Sequence, residues 1–169
     1  MKKLVLAWLV AGSLLMADSF AEVGLGYSKG NNSENYITGF GALKVIGNIA
    51  ARLEFTKNIS ENSDLFSRQD ISRYGLYATY TLPLAAGISV TPKIGLNKTD
   101  SSFTLKETVE KLTDSSTDFT FGLELNYEYN EQVHLFVGYT DYGNKLDLKN
   151  IDTDELDTSN FTFGVKIEL

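Results

Sequence analysis

Apolar and polar residues alternate along most of this chain, with a period of two. Successive side chains of a β-strand point to opposite faces, so the pattern predicts strands with one apolar and one polar face. The last nine residues, FTFGVKIEL, show the alternation most clearly. Eight strands are predicted in all, over residues 22–28, 36–46, 49–56, 74–82, 88–97, 119–129, 133–140 and 161–169.

The connections between these strands fall into two kinds that alternate. Tight turns are predicted at 47–48, 83–87 and 130–131, and Gly47-Asn48 is typical of a hairpin turn. Polar loops are predicted at 29–34, 57–72, 98–117 and 141–160. An antiparallel up-and-down order therefore places all tight turns at one end of the molecule and all long loops at the other.

Three details of the pattern carry their own expectations. The second strand can be read in either register, because Tyr36, Phe40 and Ala42 oppose Ile37, Leu43 and Val45. Pro92 lies in the middle of a strand and lacks a backbone donor, which predicts a bulge or a shifted register there. Apolar residues within loop 98–117 indicate that its flanking strands continue as a protruding hairpin.

The N-terminus differs from the rest of the chain. Lys2 and Lys3 precede an apolar run over residues 4–16, and Ser19-Phe20-Ala21 offers small residues at the two positions that a signal peptidase reads. We expect residues 1–21 to be a cleaved export signal and residues 22–169 to form one domain. An uncleaved anchor helix is the alternative, although the apolar run is short for one.

Composition excludes several classes of function. The 169 residues have a formal net charge of −7, so the basic surface that nucleic-acid binding requires is missing. Cysteine is absent, which excludes disulfides, thiolate metal sites and cysteine nucleophiles. No nucleic-acid partner and no cofactor are expected.

The pattern alone leaves open whether the apolar faces look inward or toward lipid. Strands of about ten residues, tyrosines at the ends of the apolar stripes and the contrast of turns with loops favour lipid outside. The tyrosines concerned are Tyr27, Tyr74, Tyr129 and Tyr139. A soluble lipocalin-like carrier, with its apolar faces inside, is the alternative.

With lipid outside, the chain resembles the small eight-stranded outer-membrane β-barrels, a family that includes the OmpA transmembrane domain, OmpX and the opacity-type proteins. The resemblance implies an all-β, eight-stranded antiparallel up-and-down transmembrane β-barrel in the outer membrane of a Gram-negative cell. It also implies contact with outer-membrane lipids and lipopolysaccharide, and with periplasmic chaperones and the barrel assembly machinery. The strand that this machinery would recognise presents Phe161, Phe163, Val165, Ile167 and Leu169.

The polar faces would then line a lumen that side chains can fill. Glu54, Lys93 and Glu124 are predicted at similar heights on three different strands, with Tyr77 beside them and Arg52 slightly lower. Charges buried at that depth must pair. We therefore expect a salt-bridge plug, similar to the interior gate of OmpA-type barrels. Separate charges solvated by lumen water are the alternative.

These observations favour a non-enzymatic barrel with a structural or surface role. A narrow channel for ions or small solutes is the alternative, and a lipid A-modifying enzyme is a third possibility.

The single histidine, His134, lies beside a tight turn, the wrong end for outer-leaflet chemistry. Asp152, Asp154, Glu155 and Asp157 form an acidic cluster that is interpreted as solvated surface and not as a metal site. Loops 98–117 and 141–160 are candidate contacts for an extracellular ligand.

Overall fold

Eight long antiparallel strands make up most of the described chain, which in this computed structural model comprises residues 20–30, 34–59, 66–105, 111–143 and 159–169. The strands are β1 (Ala21–Gly30), β2 (Asn35–Ile46), β3 (Ile49–Asn58), β4 (Phe66–Tyr80), β5 (Ile88–Leu105), β6 (Lys111–Glu128), β7 (Val133–Asp141) and β8 (Asn160–Glu168). A two-residue strand, Leu82–Pro83, continues the line of β4.

The strands close into a barrel. Each strand pairs with the next one in the sequence, and β8 pairs with β1 from Glu22↔Glu168 to Gly30↔Asn160. Closure leaves no free sheet edge within the ring, so the backbone donors and acceptors there are satisfied between strands. The predicted eight-stranded up-and-down barrel is confirmed. None of the described residues belongs to a helix long and apolar enough to cross a membrane.

Apolar side chains cover the outside of this barrel, and polar ones fill the inside. Leu25 and Leu53 are 64% and 66% exposed, whereas Ser28 and Arg52 are 0% and 1% exposed. The arrangement is the inverse of a soluble barrel, so the lipocalin-like alternative is wrong. The second strand takes the register that places Tyr36 inside the barrel.

Aromatic side chains border the outer apolar band on the side of the long loops. Tyr27 packs on Phe163, Phe55 on Tyr74, and Tyr139 on Phe161, with ring centroids 5.1–5.4 Å apart. Tyr129 lies at the opposite border and is exposed. Amphipathic rings at both borders are typical of a membrane–water interface.

One side of the barrel rises well above this aromatic border. β5 runs to Leu105 and β6 starts at Lys111, which confirms the protruding hairpin. β4 joins it as a third strand from Phe66, so residues 66–72 of the loop predicted at 57–72 are strand, and that part of the prediction is wrong. The strands predicted at 88–97 and 119–129 are also too short on the side of the loops. Strands surrounded by water have polar residues on both faces, so they lose the alternation by which a sequence reveals a strand. Residues 70–72, 98–102 and 113–118 are termed the wall.

Pro92 causes neither a bulge nor a shifted register, so that prediction is wrong. Its pairing with Leu123 lies in an uninterrupted ladder between β5 and β6. On its other side, Thr79↔Lys93 and Leu82↔Val90 keep the same register. The missing N–H interrupts the ladder toward β4 locally, since proline cannot donate there.

The tight turns close as predicted. Gly47 adopts a positive φ of 54°, which glycine tolerates without a steric penalty. Asn130 stabilises the turn between β6 and β7, because its Oδ1 accepts the backbone N–H groups of Gln132 and Val133 at 3.0 and 2.8 Å. These turns define the turn end of the barrel, and the opposite side is termed the loop end.

Candidate functional site

Six charged side chains meet inside the barrel and form the lumen network. They come from five of the eight strands, and each points inward because it occupies the polar face of its strand. The members are Glu22 on β1, Arg52 and Glu54 on β3, Lys93 on β5, Glu124 on β6 and Lys166 on β8. Ion pairs between them therefore cross the lumen and do not merely join neighbouring strands.

Arg52 is the centre of the network. Its Nη1 donates to Oε1 of Glu124, and its Nη2 lies 3.1 Å from Oε2 of the same carboxylate. The same Nη2 donates to Oε1 of Glu22 at 3.1 Å. The ring of Phe40 covers the guanidinium, with its centroid 4.0 Å from Cζ. A planar guanidinium suits this role, since it can bind a carboxylate with two nitrogens and stack on an aromatic ring.

Two lysines complete the network. Nζ of Lys93 lies 2.7 Å from Oε2 of Glu54, and Nζ of Lys166 lies 2.8 Å from Oε2 of Glu22. The ring centroid of Tyr77 lies 4.9 Å from the Lys93 ammonium. Both lysines are almost completely buried.

The network is electrically balanced, with three carboxylates against three cations. Balance matters because charges in a low-dielectric interior are strongly unfavourable unless they are paired. Glu124 is 3% and Glu54 6% exposed, so neither carboxylate has bulk water to replace a lost partner. Each carboxylate of the network is therefore paired with at least one cation inside the barrel.

Hydroxyl groups form a second polar layer, nearer the loop end. Oγ of Ser28 lies 2.8 Å from the hydroxyl oxygens of both Thr38 and Thr162, and Thr38 lies 3.0 Å from Thr56. The row thus crosses four adjacent strands, β8, β1, β2 and β3. Its side chains satisfy one another, which keeps a polar lumen wall compact.

Arg73 lies inside the barrel toward its loop end. Its guanidinium lies between two tyrosine rings, with Cζ 4.8 Å from the centroid of Tyr36 and 4.5 Å from that of Tyr142. All three side chains are at most 3% exposed. Tyr142 follows directly after β7. Its buried side chain therefore anchors the end of this strand to the barrel interior. This group is termed the arginine clamp.

A cavity of about 80 Å³ opens at the turn end. Lys44, Asn48, Thr81 and Glu168 are among the residues that line it, and the Arg52 side chain reaches it from the network. His134 also lies at this end, with Nε2 3.5 Å from Oε1 of Glu168.

Within the described residues no group of three or more His, Cys, Asp or Glu side chains is placed to hold a metal ion. The acidic cluster at 152–157 lies outside them.

The structure brings together all four charged residues that the sequence predicts for the lumen. Sequence reasoning missed two further members, Glu22 and Lys166. Glu22 follows directly after the predicted cleavage position, and Lys166 lies in the strand interpreted as an assembly signal. Both occupy the polar face of their strands, the signal that identifies the other four. Four apolar residues of that signal, Phe161, Phe163, Val165 and Ile167, point outward on β8, and Leu169 follows the strand and is also exposed.

Comparisons with known proteins agree with this geometry. A family model described as "Outer membrane protein beta-barrel domain" matches residues 7–168. The N-terminal β-barrel domain of Pseudomonas aeruginosa OprF superposes with a TM-score of 0.68 at 12% identity, covering 91% of this chain and 100% of that one. Neisserial surface protein A gives 0.59 at 13% identity, with coverages of 90% and 98%. Ail, the attachment invasion locus protein of Yersinia pestis, gives 0.58 at 12% identity, with coverages of 89% and 97%. No curated protein matches the chain.

Proposed function

The chain belongs to the outer membrane protein β-barrel domain family, and we propose that within the outer membrane it acts as a non-enzymatic barrel whose lumen is closed by the lumen network. Its role is then to contribute to the structure of the membrane and to offer a surface for contacts outside the cell. The barrel spans the membrane, resists passage of solutes and presents its loop end to the surroundings of the cell.

The lumen network carries this proposal. Arg52 joins carboxylates on β1 and β6 across the lumen, and Lys93 joins β5 to β3. A solute that passes this level must separate buried ion pairs, and breaking one by removing a partner costs about 3–5 kcal/mol. The arginine clamp adds a second obstruction at the loop end. Two barriers in series support a closed state.

The direction of the barrel follows from its ends. Barrels of this kind have short turns on the periplasmic side and longer loops outside. We therefore assign the turn end to the periplasm and the wall to the cell exterior. Cleavage of residues 1–21 after export is part of the proposal, as are recognition of β8 by the assembly machinery and ligand contacts through loops 98–117 and 141–160.

Placement of the histidine supports a role without catalysis. In this orientation His134 and Glu168 lie on the periplasmic side, away from outer-leaflet substrates. Glu54 and Glu124 already accept hydrogen bonds from Lys93 and Arg52. A general base needs a free lone pair directed at its substrate, so these carboxylates are poorly placed for that task.

A narrow ion channel is the second candidate. The observation in its favour is the polar lumen wall, with the hydroxyl row above the network and the cavity of about 80 Å³ below it. Such a channel would require ions to pass between the charged side chains of the network. It differs from the closed barrel in one measurable property, conductance.

Single-channel recording in planar bilayers tests the proposal. The wild-type protein should give no steady conductance, whereas Glu124→Gln, which weakens the hold on Arg52, should give resolvable openings. Lys98→Ala is the matched control, because it removes an exposed cation outside the lumen. A heat-dependent shift in electrophoretic mobility verifies that each variant is folded. A steadily open wild-type pore would overturn the closed lumen and favour the channel.

A further inference from the structure

The outer face of the wall contains a groove of about 370 Å³. This volume lies within the range of about 300–1,000 Å³ that small-molecule sites occupy. Six outward side chains line it in two rows, Asp70, Ser102 and Thr113 above Ser72, Asp100 and Ser115. Every one of them carries a hydroxyl or a carboxylate, and none is larger than aspartate. The groove therefore offers a dense set of short hydrogen-bonding groups.

The groove continues directly from the lipid-facing surface. Below its lower row, the next cross-strand row contains Tyr74 beside Lys98, and the row beneath that contains Leu76, Leu96 and Phe119. Tyr74 is 51% exposed. From the membrane outward, the side chains on this face thus change from purely apolar, through tyrosine and lysine, to hydroxyl and carboxylate. This order complements a phosphorylated glycolipid, in which acyl chains, phosphate groups and sugar hydroxyls follow one another away from the membrane.

Asp100 is held in position within the groove. Its Oδ1 accepts a hydrogen bond from Oγ of Ser115 at 2.8 Å and lies 3.1 Å from Nζ of Lys98. The hydrogen bond from Ser115 and the nearby ammonium keep the pKa of the Asp100 carboxyl below its usual range. The carboxylate is therefore ionised and oriented, yet its side chain is 43% exposed and can accept further hydrogen bonds.

We propose that this groove binds the sugar of an outer-leaflet glycolipid, with Asp100 and the surrounding hydroxyls bound to sugar hydroxyls and Tyr74 against the apolar face of a ring. The glycolipid is anchored in the outer leaflet beside the barrel, because the groove and the lipid-facing band form one continuous surface. Lys98 lies at the level where the phosphate groups of such a lipid would be. The inference rests on the proposed orientation, which places the wall outside the cell.

Amide NMR of the isotope-labelled protein in nanodiscs tests the inference. Three bilayers are compared: phosphatidylcholine alone, phosphatidylcholine with lipopolysaccharide that carries its core sugars, and phosphatidylcholine with lipid A that lacks them. Core lipopolysaccharide should shift the amides of residues 70–72, 100–102 and 113–115, and lipid A should not. Equal shifts with both lipids, or no shifts with either, would overturn the inference.

Two variants separate the groove from general contact with lipid. Ser102→Phe fills the groove with a residue that strands accommodate well, and it should weaken the response at least tenfold. Lys29→Phe introduces the same side chain at an exposed position of β1, near the loop end but away from the wall, and should bind as wild type. An unchanged response in Ser102→Phe would contradict the proposal. Soluble core oligosaccharide is a further arm, and binding of it as tightly as the anchored lipid would overturn the glycolipid as occupant.

The outcome of this NMR experiment does not depend on whether the lumen is open or closed. If the wild-type protein conducts but the groove shifts appear, only the closed-lumen function fails. If the protein is closed and inserted but the groove amides do not respond to core sugars, only the glycolipid site fails.

Discussion

Arg52 and Glu124 form a two-pronged ion pair across the lumen, although 72 residues separate them in the sequence. Their strands, β3 and β6, are not neighbours, since β4 and β5 lie between them. Only closure of the barrel brings the two side chains together. The pair is thus both a result of the fold and a direct test of it.

The first prediction concerns the stability that this pair provides. Glu124→Gln should lower the free energy of unfolding by about 3–5 kcal/mol, because it leaves a buried guanidinium with less charge to balance it. Replacing both partners, as in Arg52→Met with Glu124→Met, should cost less than the single change, since no buried charge is left unpaired. Urea unfolding of the barrel in lipid vesicles measures both. A double variant that loses as much as Arg52→Met and Glu124→Met added together would show that the charges do not interact.

The second prediction concerns a close approach at the seam between β1 and β8. A Cβ on Gly164 would lie 2.7 Å from Cα of Gly26 and 2.8 Å from Cε1 of Phe136, and still closer to the carbonyl oxygen of Leu25. Gly164→Ala should therefore destabilise the barrel by about 1–3 kcal/mol, the usual cost of overpacking. Gly41→Ala is the control, because its Cβ would have no neighbour nearer than 4.0 Å. The same unfolding assay should find Gly41→Ala close to wild type, and a loss of similar size in both variants would contradict the packing argument.

The third prediction tests which surface meets lipid. Leu123 lies in the middle of the outer apolar band and is 52% exposed. Leu123→Arg should cost about 2–4 kcal/mol in a bilayer, because a cation at the midplane must leave water. Thr117→Arg, at the border of the band, should cost about 0–1 kcal/mol. Vesicle unfolding experiments with the two variants separate these values, and equal costs at the two depths would argue against a membrane-spanning band.

The fourth prediction concerns the arginine clamp. Tyr142→Ala removes a buried ring that stacks on Arg73 and should destabilise the barrel by about 3–5 kcal/mol, the range for loss of a large buried aromatic. Tyr142→Phe keeps the ring and its attraction for the guanidinium, so its loss should be only about 0.5–1.5 kcal/mol, the contribution of one hydrogen bond. Thermal unfolding followed by electrophoretic mobility compares the two. If phenylalanine is as harmful as alanine, the hydroxyl group and not the stacked ring holds the clamp.

Much of the barrel was predictable because a membrane-spanning strand must alternate. Outward positions need apolar residues and lumen positions do not, so residues 119–129 and 161–169 reveal their faces without any structure. The wall was predicted only in part, since water surrounds both of its faces and leaves no constraint on alternation. Phe66 at the start of β4 is the clearest case, because it lies in a stretch that reads as a polar loop.

The lumen network was likewise predictable in part: the sequence gives four of its residues, but not the partners that they bind. Alternation identifies Arg52, Glu54, Lys93 and Glu124 as inward residues, and the energetic cost of buried charge requires that they pair. Alternation does not give the partners, because the tilt and stagger of a closed barrel shift the strands relative to one another. That shift decides that Arg52 binds Glu124 and Glu22, while Glu54 binds Lys93.

The sequence by itself determined the strands of the membrane-spanning region, the order in which they follow one another and, for every strand but the second, which of its two faces is apolar. These properties are local, since they depend on a period of two and on turn residues such as Gly47. The tertiary structure alone decided the pairing within the lumen, the clamp around Arg73 and the groove on the wall. Each of these joins residues from different strands, and their distances exist only once the barrel has closed.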